Sequence, residues 1–277
     1  MLGTALQRVL SVGGVRSSAP PEAAFDITDA DVVAAVVGVF ASECPGGLFI
    51  NAAAYTNVER AEDDTETAYR VNGLGVRLLA EAARDAGLGF VHVSTDFVFD
   101  GAKTGAYVED DPTHPLSVYG ASKLAGERAV AEAYPEALIV RTAWVFGPAG
   151  ENFPVKILRA ARTNPSLKVV TDECGSPTYT IDLATGLLSL ADAGASGLFH
   201  LAGSGSCTRY ELAVETLRLA GLETPVEPVP SATFPSRAAR PANSVLDCSK
   251  AAALGVTMPD WRDALGRFVR ESERVVE

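Results

Sequence analysis

The sequence predicts an α/β fold, a doubly wound parallel sheet with a smaller C-terminal substrate lobe. Two observations predict it. Short apolar runs rich in Val, Ile and Phe alternate with helix-period segments that close on Gly or Pro, and strand-helix alternation at this spacing implies parallel pairing. The alternation then stops after about Phe146, where turns, single strand-like runs and a tail rich in Pro, Ala and Arg take over.

Three runs read as buried strands: GLFINAAA (47–54), GFVHVSTDFVF (89–99) and ALIVRTAWVFG (137–147). Between them, ETAYRVNGLGVRLLAEAARDAG (66–87) and SVYGASKLAGERAVAEAYP (117–135) carry helix-period apolar positions. Downstream, residues 167–171 read as a strand followed by a helix, and GLFHLAGSGSCTRYELAVETLRLAG (197–221) adds another strand and helix. The tail PSRAARPANSVLDCSKAAALGV (235–256) is irregular. Ligands of such sheets bind beyond the carboxyl ends of the strands. The candidate site residues are therefore 52–55, 94–97 and 142–144.

The 277 residues carry a formal charge of −12. That leaves no basic surplus for nucleic acid, although a local arginine cluster still suits a small anionic substrate. No apolar run approaches the ~20 residues of a membrane helix, and the N-terminus lacks the pattern of a signal peptide. The four cysteines are scattered without a CxxC pair, so no disulfide framework or zinc site is expected, and a reducing, cytoplasmic setting fits. With three histidines, a histidine-rich metal centre is not expected; His92, inside an apolar strand pattern, reads as a satisfied core residue.

The stretch SVYGASKLAGE places Tyr119 and Lys123 four residues apart, hence on one helix face. An ammonium close to a phenol lowers the phenol's pKa, making a better general acid. Thr95 ends the preceding strand and offers a hydroxyl to the same region. A hydroxyl, a phenol and an ammonium converging on one point suit reduction of a carbonyl: Thr95 and Tyr119 bond its oxygen, and Tyr119 delivers a proton as hydride reaches carbon.

This combination resembles the extended branch of the short-chain dehydrogenase/reductase superfamily, and within it the dTDP-4-dehydrorhamnose reductase family. The likeness runs through DITDAD (26–31), INAAAYTNVERAE (50–62), Val71 with Asn72, STDFVFDG (94–101), PLSVYGASKLAGE (115–127), RTAWVFG (141–147), Asn152 with Phe153, DECGSPTYTIDLA (172–184), GLFHLAGSGSCTRYELA (197–213) and RPANSVLDCSK (240–250). It implies a Rossmann-like dinucleotide-binding domain over 1–146 and about 178–202, with a substrate lobe over about 147–177 and 203–277. It implies a catalytic triad of Thr95, Tyr119 and Lys123, with Lys123 also gripping the cofactor ribose. Gly3, Asn51, Ala52 and Ala53 would run along the cofactor, and Asp26 and Ile27 would approach its adenine. Asp96, Phe97, Trp144 and Arg240 would meet substrate. Phe97 stands where the family often has tyrosine. Asn72 reads as mainly structural. Arg237 and Arg240, with Pro241, lie in the tail that covers the nucleotide-sugar, where an arginine could pair with its diphosphate.

The implied activity is reduction of the C4 ketone of dTDP-4-dehydro-L-rhamnose with NADPH, or NADH, in a cytoplasmic protein; a homodimer is allowed. Alternatives are a ketoreductase for another dTDP-linked 4-keto-6-deoxysugar and a non-catalytic regulatory protein, since a relative with this fold serves as a regulatory subunit of methionine adenosyltransferase. The chain departs from the family at its start, where MLGTALQRVL matches only the last part of the expected GxxGxxG turn and its helix. The first strand and two glycines are absent, which predicts either a longer natural N-terminus or a truncated chain with weakened cofactor binding. The segment after this helix lacks a clean strand pattern; within it, Arg16, Ser17 and Ser18 could suit a 2′-phosphate.

Overall fold

A computed structural model describes residues 1–21 and 24–276, with side chains to residue 271. The chain begins with α1 (Leu2–Val12), α2 (Ala30–Glu43), β1 (Leu48–Asn51), α3 (Val58–Ala61), α4 (Thr65–Tyr69), α5 (Val76–Asp85), β2 (Gly89–Thr95), α6 (Val118–Ala133) and β3 (Leu138–Thr142). It continues through β4 (Val145–Phe146), α7 (Phe153–Thr163), β5 (Leu167–Val170), β6 (Cys174–Gly175), β7 (Thr178–Tyr179), α8 (Thr180–Asp192) and β8 (Gly197–His200). The last elements are β9 (Cys207–Thr208), α9 (Arg209–Leu219), β10 (Val226–Val229), α10 (Ser249–Ala253) and α11 (Trp261–Val276). Among the described residues no helix is long and apolar enough to cross a membrane.

The central sheet has the order β1-β2-β3-β8 with all pairs parallel, and β1 is its described edge. Strand alternation sends Phe90 and Ile139 to one face, where Val33 and Val37 of α2, Leu79 and Ala83 of α5 and Val130 of α6 cover them. Val91, Leu138 and Val140 face the other way, against Leu183, Leu187 and Leu190 of α8. α1 lies on that second layer, with Ala5 and Leu6 against Ala184 and beside Ile50 and Ala52. Helices on both faces of a parallel sheet are the doubly wound arrangement expected. The smaller lobe has its own apolar clusters, one joining α9 and α11 through Leu212, Trp261 and Phe268, and another joining α7, β5 and α9. Its ribbons are β5 with β10, β6 with β9, and β4 with β7.

Helix starts follow the local chemistry. Asp29 caps α2 through the amides of Asp31 and Val32, Ser117 caps α6 through Gly120, and Asn152 caps α7 through Val155. A capping box of Thr208 and Glu211 opens α9. Two expected elements are divided. The run 89–99 ends as a strand at Thr95 and turns through a short 3-10 helix, Asp96–Val98. The run 137–147 becomes β3 and β4, parted at Trp144, whose φ of +46° lies in the left-handed region and turns the chain out of the sheet. The helical segment 66–87 contains a π-helical stretch, Arg70–Gly75, between α4 and α5; such stretches often sit at functional sites. β10 was not anticipated: Val226–Val229 contains Pro228 and, among the described residues, pairs with β5 alone.

Candidate active site

The small residues around Tyr119 and Lys123 have a packing reason. A Cβ on Gly120 would stand 2.2 Å from the Phe97 carbonyl oxygen, and one on Gly126 would stand 2.2 Å from that of Asn72. Glycine at both positions lets α6 press its backbone against the 3-10 turn after β2 and against the π-helical stretch. That contact carries Tyr119 to the end of β2, with its ring edge-on to Phe97 at 5.6 Å between centroids. Lys123 is 2% exposed, and its ammonium donates to the Val93 carbonyl at 2.7 Å. Burial lowers its pKa to about 8, against the opposing charge of Glu127 one turn on. Burial pushes the Tyr119 phenol up to about 12, with the hydroxyl of Thr95 acting in the opposite direction. The expected depression of the phenol is not seen, because burial outweighs it and the Asp96 charge adds to the rise.

Thr95 and Asp96 close β2. The Thr95 hydroxyl donates to Asp96 Oδ1 at 3.0 Å and accepts from the Phe97 amide at 3.2 Å. Asp96 is 2% exposed. Burial raises its pKa to about 6, more than the hydroxyls of Ser244 and Thr95 and the positive charge of Arg209 bring it down. Its other oxygen, Oδ2, makes no hydrogen bond among the described residues, although the buried Ser244 hydroxyl lies beside it.

The loop after β1 is fixed from two sides. Asn51 accepts from the Ala53 amide at 3.0 Å, and its side-chain nitrogen meets His92 Nδ1 at 3.1 Å, across the register that pairs Asn51 with His92. Asn72 receives the Tyr55 amide at 2.9 Å and donates to the Tyr55 carbonyl at 3.1 Å and to the Ser122 hydroxyl at 2.9 Å. It thus ties the loop bearing Ala52 and Ala53 to α6, in keeping with the structural reading. His92 differs from expectation: its Nε2 has no partner among the described residues, and burial with the Lys123 charge keeps the ring neutral. Asp26 is exposed and folds onto the Thr28 amide and hydroxyl, at 2.9 and 2.8 Å. Ile27 packs on Gly75, where a Cβ would stand 2.9 Å from its side chain. Gly3 lies in the first turn of α1. The Arg16 guanidinium rests on Cys44 Sγ and the Glu43 carbonyl.

These residues fit a nicotinamide dinucleotide at its ribose end. Lys123 has three N–H groups and uses one, on Val93. The remaining donors and the Tyr119 phenol suit the neighbouring hydroxyls of a ribose.

A cleft of about 1030 Å³ lies among α7, β5, α9 and the tail, bounded by Trp144 and Val145 and by Glu59 of α3. Trp144 lines it, held against the Gly175 backbone so closely that a Cβ there would stand 2.3 Å from Cε2. The Arg209 guanidinium lies 3.5 Å from the Trp144 ring centre and pairs with Glu173 at 3.6 Å. On another wall, the tail is strapped to α3. Glu59 accepts from the Ser236 hydroxyl at 2.6 Å, the Arg237 amide at 3.0 Å and the Arg240 guanidinium at 2.9 Å, which hold its carboxyl down to about 2. Arg237 also pairs with Asp63. Arg240 therefore reaches the cleft already paired.

Behind the site, Glu127 and Arg141 form a bidentate pair at 2.9 and 2.7 Å, and the Ser94 hydroxyl donates to Glu127 at 2.5 Å. Both side chains are at most 7% exposed. Arg141 also stacks over Phe99, 5.0 Å from its ring centre. Arg209, Glu59 and Glu127 were not singled out from the sequence. The capping box at Thr208 was the one local signal that Arg209 opens a helix.

The site thus brings together Thr95, Asp96, Phe97, Tyr119 and Lys123 at the end of β2, and puts Trp144 and Arg240 on the walls of the cleft. The model of the RmlD substrate binding domain matches residues 1–274. The dTDP-4-dehydrorhamnose reductase of Streptomyces griseus is 41% identical over 273 residues, 96% of this chain and 88% of that protein. A crystal structure of a dTDP-4-dehydrorhamnose reductase from Clostridium acetobutylicum superposes with a TM-score of 0.92 at 36% identity, covering 98% of this chain and 96% of that one. The enzyme from Bacillus anthracis, solved in complex with NADP, gives a TM-score of 0.92 at 34% identity, covering 98% and 95%. By sequence and by fold, the chain belongs to the RmlD substrate binding domain family.

Proposed function

We propose that this protein reduces the C4 ketone of dTDP-4-dehydro-L-rhamnose to give dTDP-L-rhamnose, with NADPH as cofactor and NADH as the alternative. The observation that carries the reading is the placing of Tyr119 edge-on to Phe97 just beyond β2, with Thr95 ending that strand and Lys123 buried one turn further along α6. The names of the relatives and the NADP in the Bacillus anthracis structure support the substrate class and the cofactor. The dinucleotide is assigned to 1–146 and about 178–202, against Asn51, Ala52, Ala53, Asp26, Ile27 and the start of α1 at Gly3. The sugar nucleotide is assigned to the cleft, between Trp144, Asp96 and Phe97 at one end and Arg240 at the other.

When bound, the reduced nicotinamide supplies a hydride to the ketone carbon. Tyr119 donates a hydrogen bond to the ketone oxygen, the Thr95 hydroxyl joins it by turning its proton away from Asp96 Oδ1, and the Tyr119 proton passes to that oxygen as the alkoxide forms. With its pKa pushed up to about 12, the phenol is fully protonated at neutral pH and holds the proton until the alkoxide, a stronger base, accepts it. Lys123 orients the ribose with the N–H groups that Val93 leaves free. Asp96, ionised at neutral pH, accepts from a sugar hydroxyl with Oδ2.

The pH dependence follows from two groups. Below about 6 Asp96 takes up a proton and loses an acceptor; above about 8 Lys123 loses its charge. The expected kcat/KM profile is bell-shaped with limbs near those values, and Asp96→Asn flattens the acid limb. An acid limb unchanged in Asp96→Asn assigns it to another group.

The experiment for the function is NADPH oxidation by the purified chain with dTDP-4-dehydro-L-rhamnose generated in situ, with the product identified by NMR. Formation of dTDP-L-rhamnose supports the proposal. The C4-epimeric product would move the chain to another deoxysugar, the second reading, which Phe97 favours because it places no hydroxyl beside the sugar. No turnover with either cofactor would contradict the proposal.

A further inference from the structure

Arg209 is the first residue of α9, and the antiparallel pairing of β6 with β9 delivers it to the cleft. Its side chain is 16% exposed, so the guanidinium is largely out of water while still lining the cleft. It lies over Trp144, 3.5 Å from the ring centre, and near Phe153 at 5.2 Å. Its one side-chain polar partner among the described residues is Glu173, reached through Nε at 3.6 Å. A guanidinium carries five N–H donors in a planar fork, and donors withdrawn from water normally find acceptors. Here the two terminal nitrogens have no protein acceptor among the described residues and stay open to the cleft.

The position of these donors selects the part of the substrate they meet. Arg209 lies over Trp144, two residues beyond Thr142, which the register of β2 with β3 pairs with Thr95, and its charge is felt by Asp96 as well as by Arg240. Arg209 therefore belongs to the end of the cleft where the ketone reacts. Arg240 sits on the wall formed by the tail. Glu173 already balances the Arg209 charge, so a neutral hydroxyl satisfies the free donors without an added counter-charge. Asp96 Oδ2, which has only the Ser244 hydroxyl beside it, has acceptor capacity to spare and completes a donor-acceptor pair of the kind that reads a hydroxyl, which both gives and takes a hydrogen bond. Trp144 serves as the platform: with the guanidinium against its ring and the Gly175 backbone pressed close, it presents Arg209 to the cleft.

We infer that Arg209 is a specificity-determining residue, whose terminal N–H groups donate to a ring hydroxyl of the dTDP-linked hexose beside the reacting ketone. The inference rests on the reductase reading above and names which part of the substrate this residue recognises.

The test compares wild type, Arg209→Gln and Arg209→Lys. Calorimetry measures binding of dTDP, of dTDP-L-rhamnose and of its analogues lacking the 2- or the 3-hydroxyl; kinetics measure kcat and KM, and thermal melting checks folding. A hydrogen bond to a charged group corresponds to about 10- to 100-fold in affinity. Arg209→Gln is expected to weaken dTDP-L-rhamnose and raise KM by about that factor, with dTDP binding unchanged and kcat affected much less. One deoxy analogue should bind wild type as weakly as the variant binds the parent sugar, with no further loss in the variant. Arg209→Lys, which keeps the charge on Trp144 but not the fork, should bind the sugar with intermediate affinity, and it supplies the comparison if Arg209→Gln melts early. Equal weakening of dTDP would make Arg209 a diphosphate ligand and overturn the inference, as would a variant that binds every ligand like wild type. Wild type that neither binds dTDP-L-rhamnose nor turns over the ketone would defeat the functional reading itself, a result distinct from either.

Discussion

Replacing Tyr119 with Phe is expected to lower kcat for ketone reduction by about 10²- to 10⁴-fold, the usual contribution of a positioned general acid. The substitution removes one oxygen and leaves the ring, whose edge contact with Phe97 needs no hydroxyl. Thr95 remains as the single hydroxyl donor to the ketone oxygen, and its proton is far less acidic than a phenol's. NADPH binding, followed by fluorescence, should change less than threefold by order of magnitude, because Lys123 keeps its place on Val93. Thermal melting should stay within a few degrees. Loss of cofactor binding together with turnover would instead make Tyr119 a structural residue.

The second large effect concerns stability. Glu127→Ala leaves the Arg141 guanidinium buried against Phe99 without its carboxylate, and the Ser94 hydroxyl without its acceptor. Breaking a buried pair from one side costs about 3–5 kcal/mol, a large part of the ~5–15 kcal/mol that holds a typical domain together. Urea unfolding should show that loss. The double variant Glu127→Leu with Arg141→Met, which removes both charges, should recover much of it. Glu127 also supports the charge of Lys123 from one turn away. Glu127→Gln, which keeps the shape, should therefore shift the alkaline limb of the pH profile to lower pH. A Glu127→Ala variant with unchanged unfolding would show that the pair carries no net stability.

The parallel sheet was legible because its strands are continuous apolar runs, and Tyr119 and Lys123 because helix spacing puts them on one face. The apparent plainness of the surrounding glycines proved informative, since Gly120 and Gly126 are what let α6 approach backbone oxygens. Other features depend on contacts between distant segments. Arg209 reaches Trp144 only through the pairing of β6 with β9, and Glu59 meets Arg240 across 181 positions of chain. Neither partner carries a local sign of the other. The division of the strand run at Trp144 was hidden for a different reason: tertiary packing against Gly175 and Arg209 holds a bulky residue at positive φ, which sequence propensity disfavours.

The most direct measurement is the fate of the hydride in the presence of dTDP-4-dehydro-L-rhamnose and NADPH carrying deuterium at both positions of nicotinamide C4. NMR of the recovered sugar nucleotide should show deuterium at C4 of the hexose with wild-type protein and almost none with Tyr119→Phe over the same time. Deuterium retained in the cofactor while the wild-type protein binds both ligands, or equal labelling by wild type and Tyr119→Phe, would contradict the mechanism.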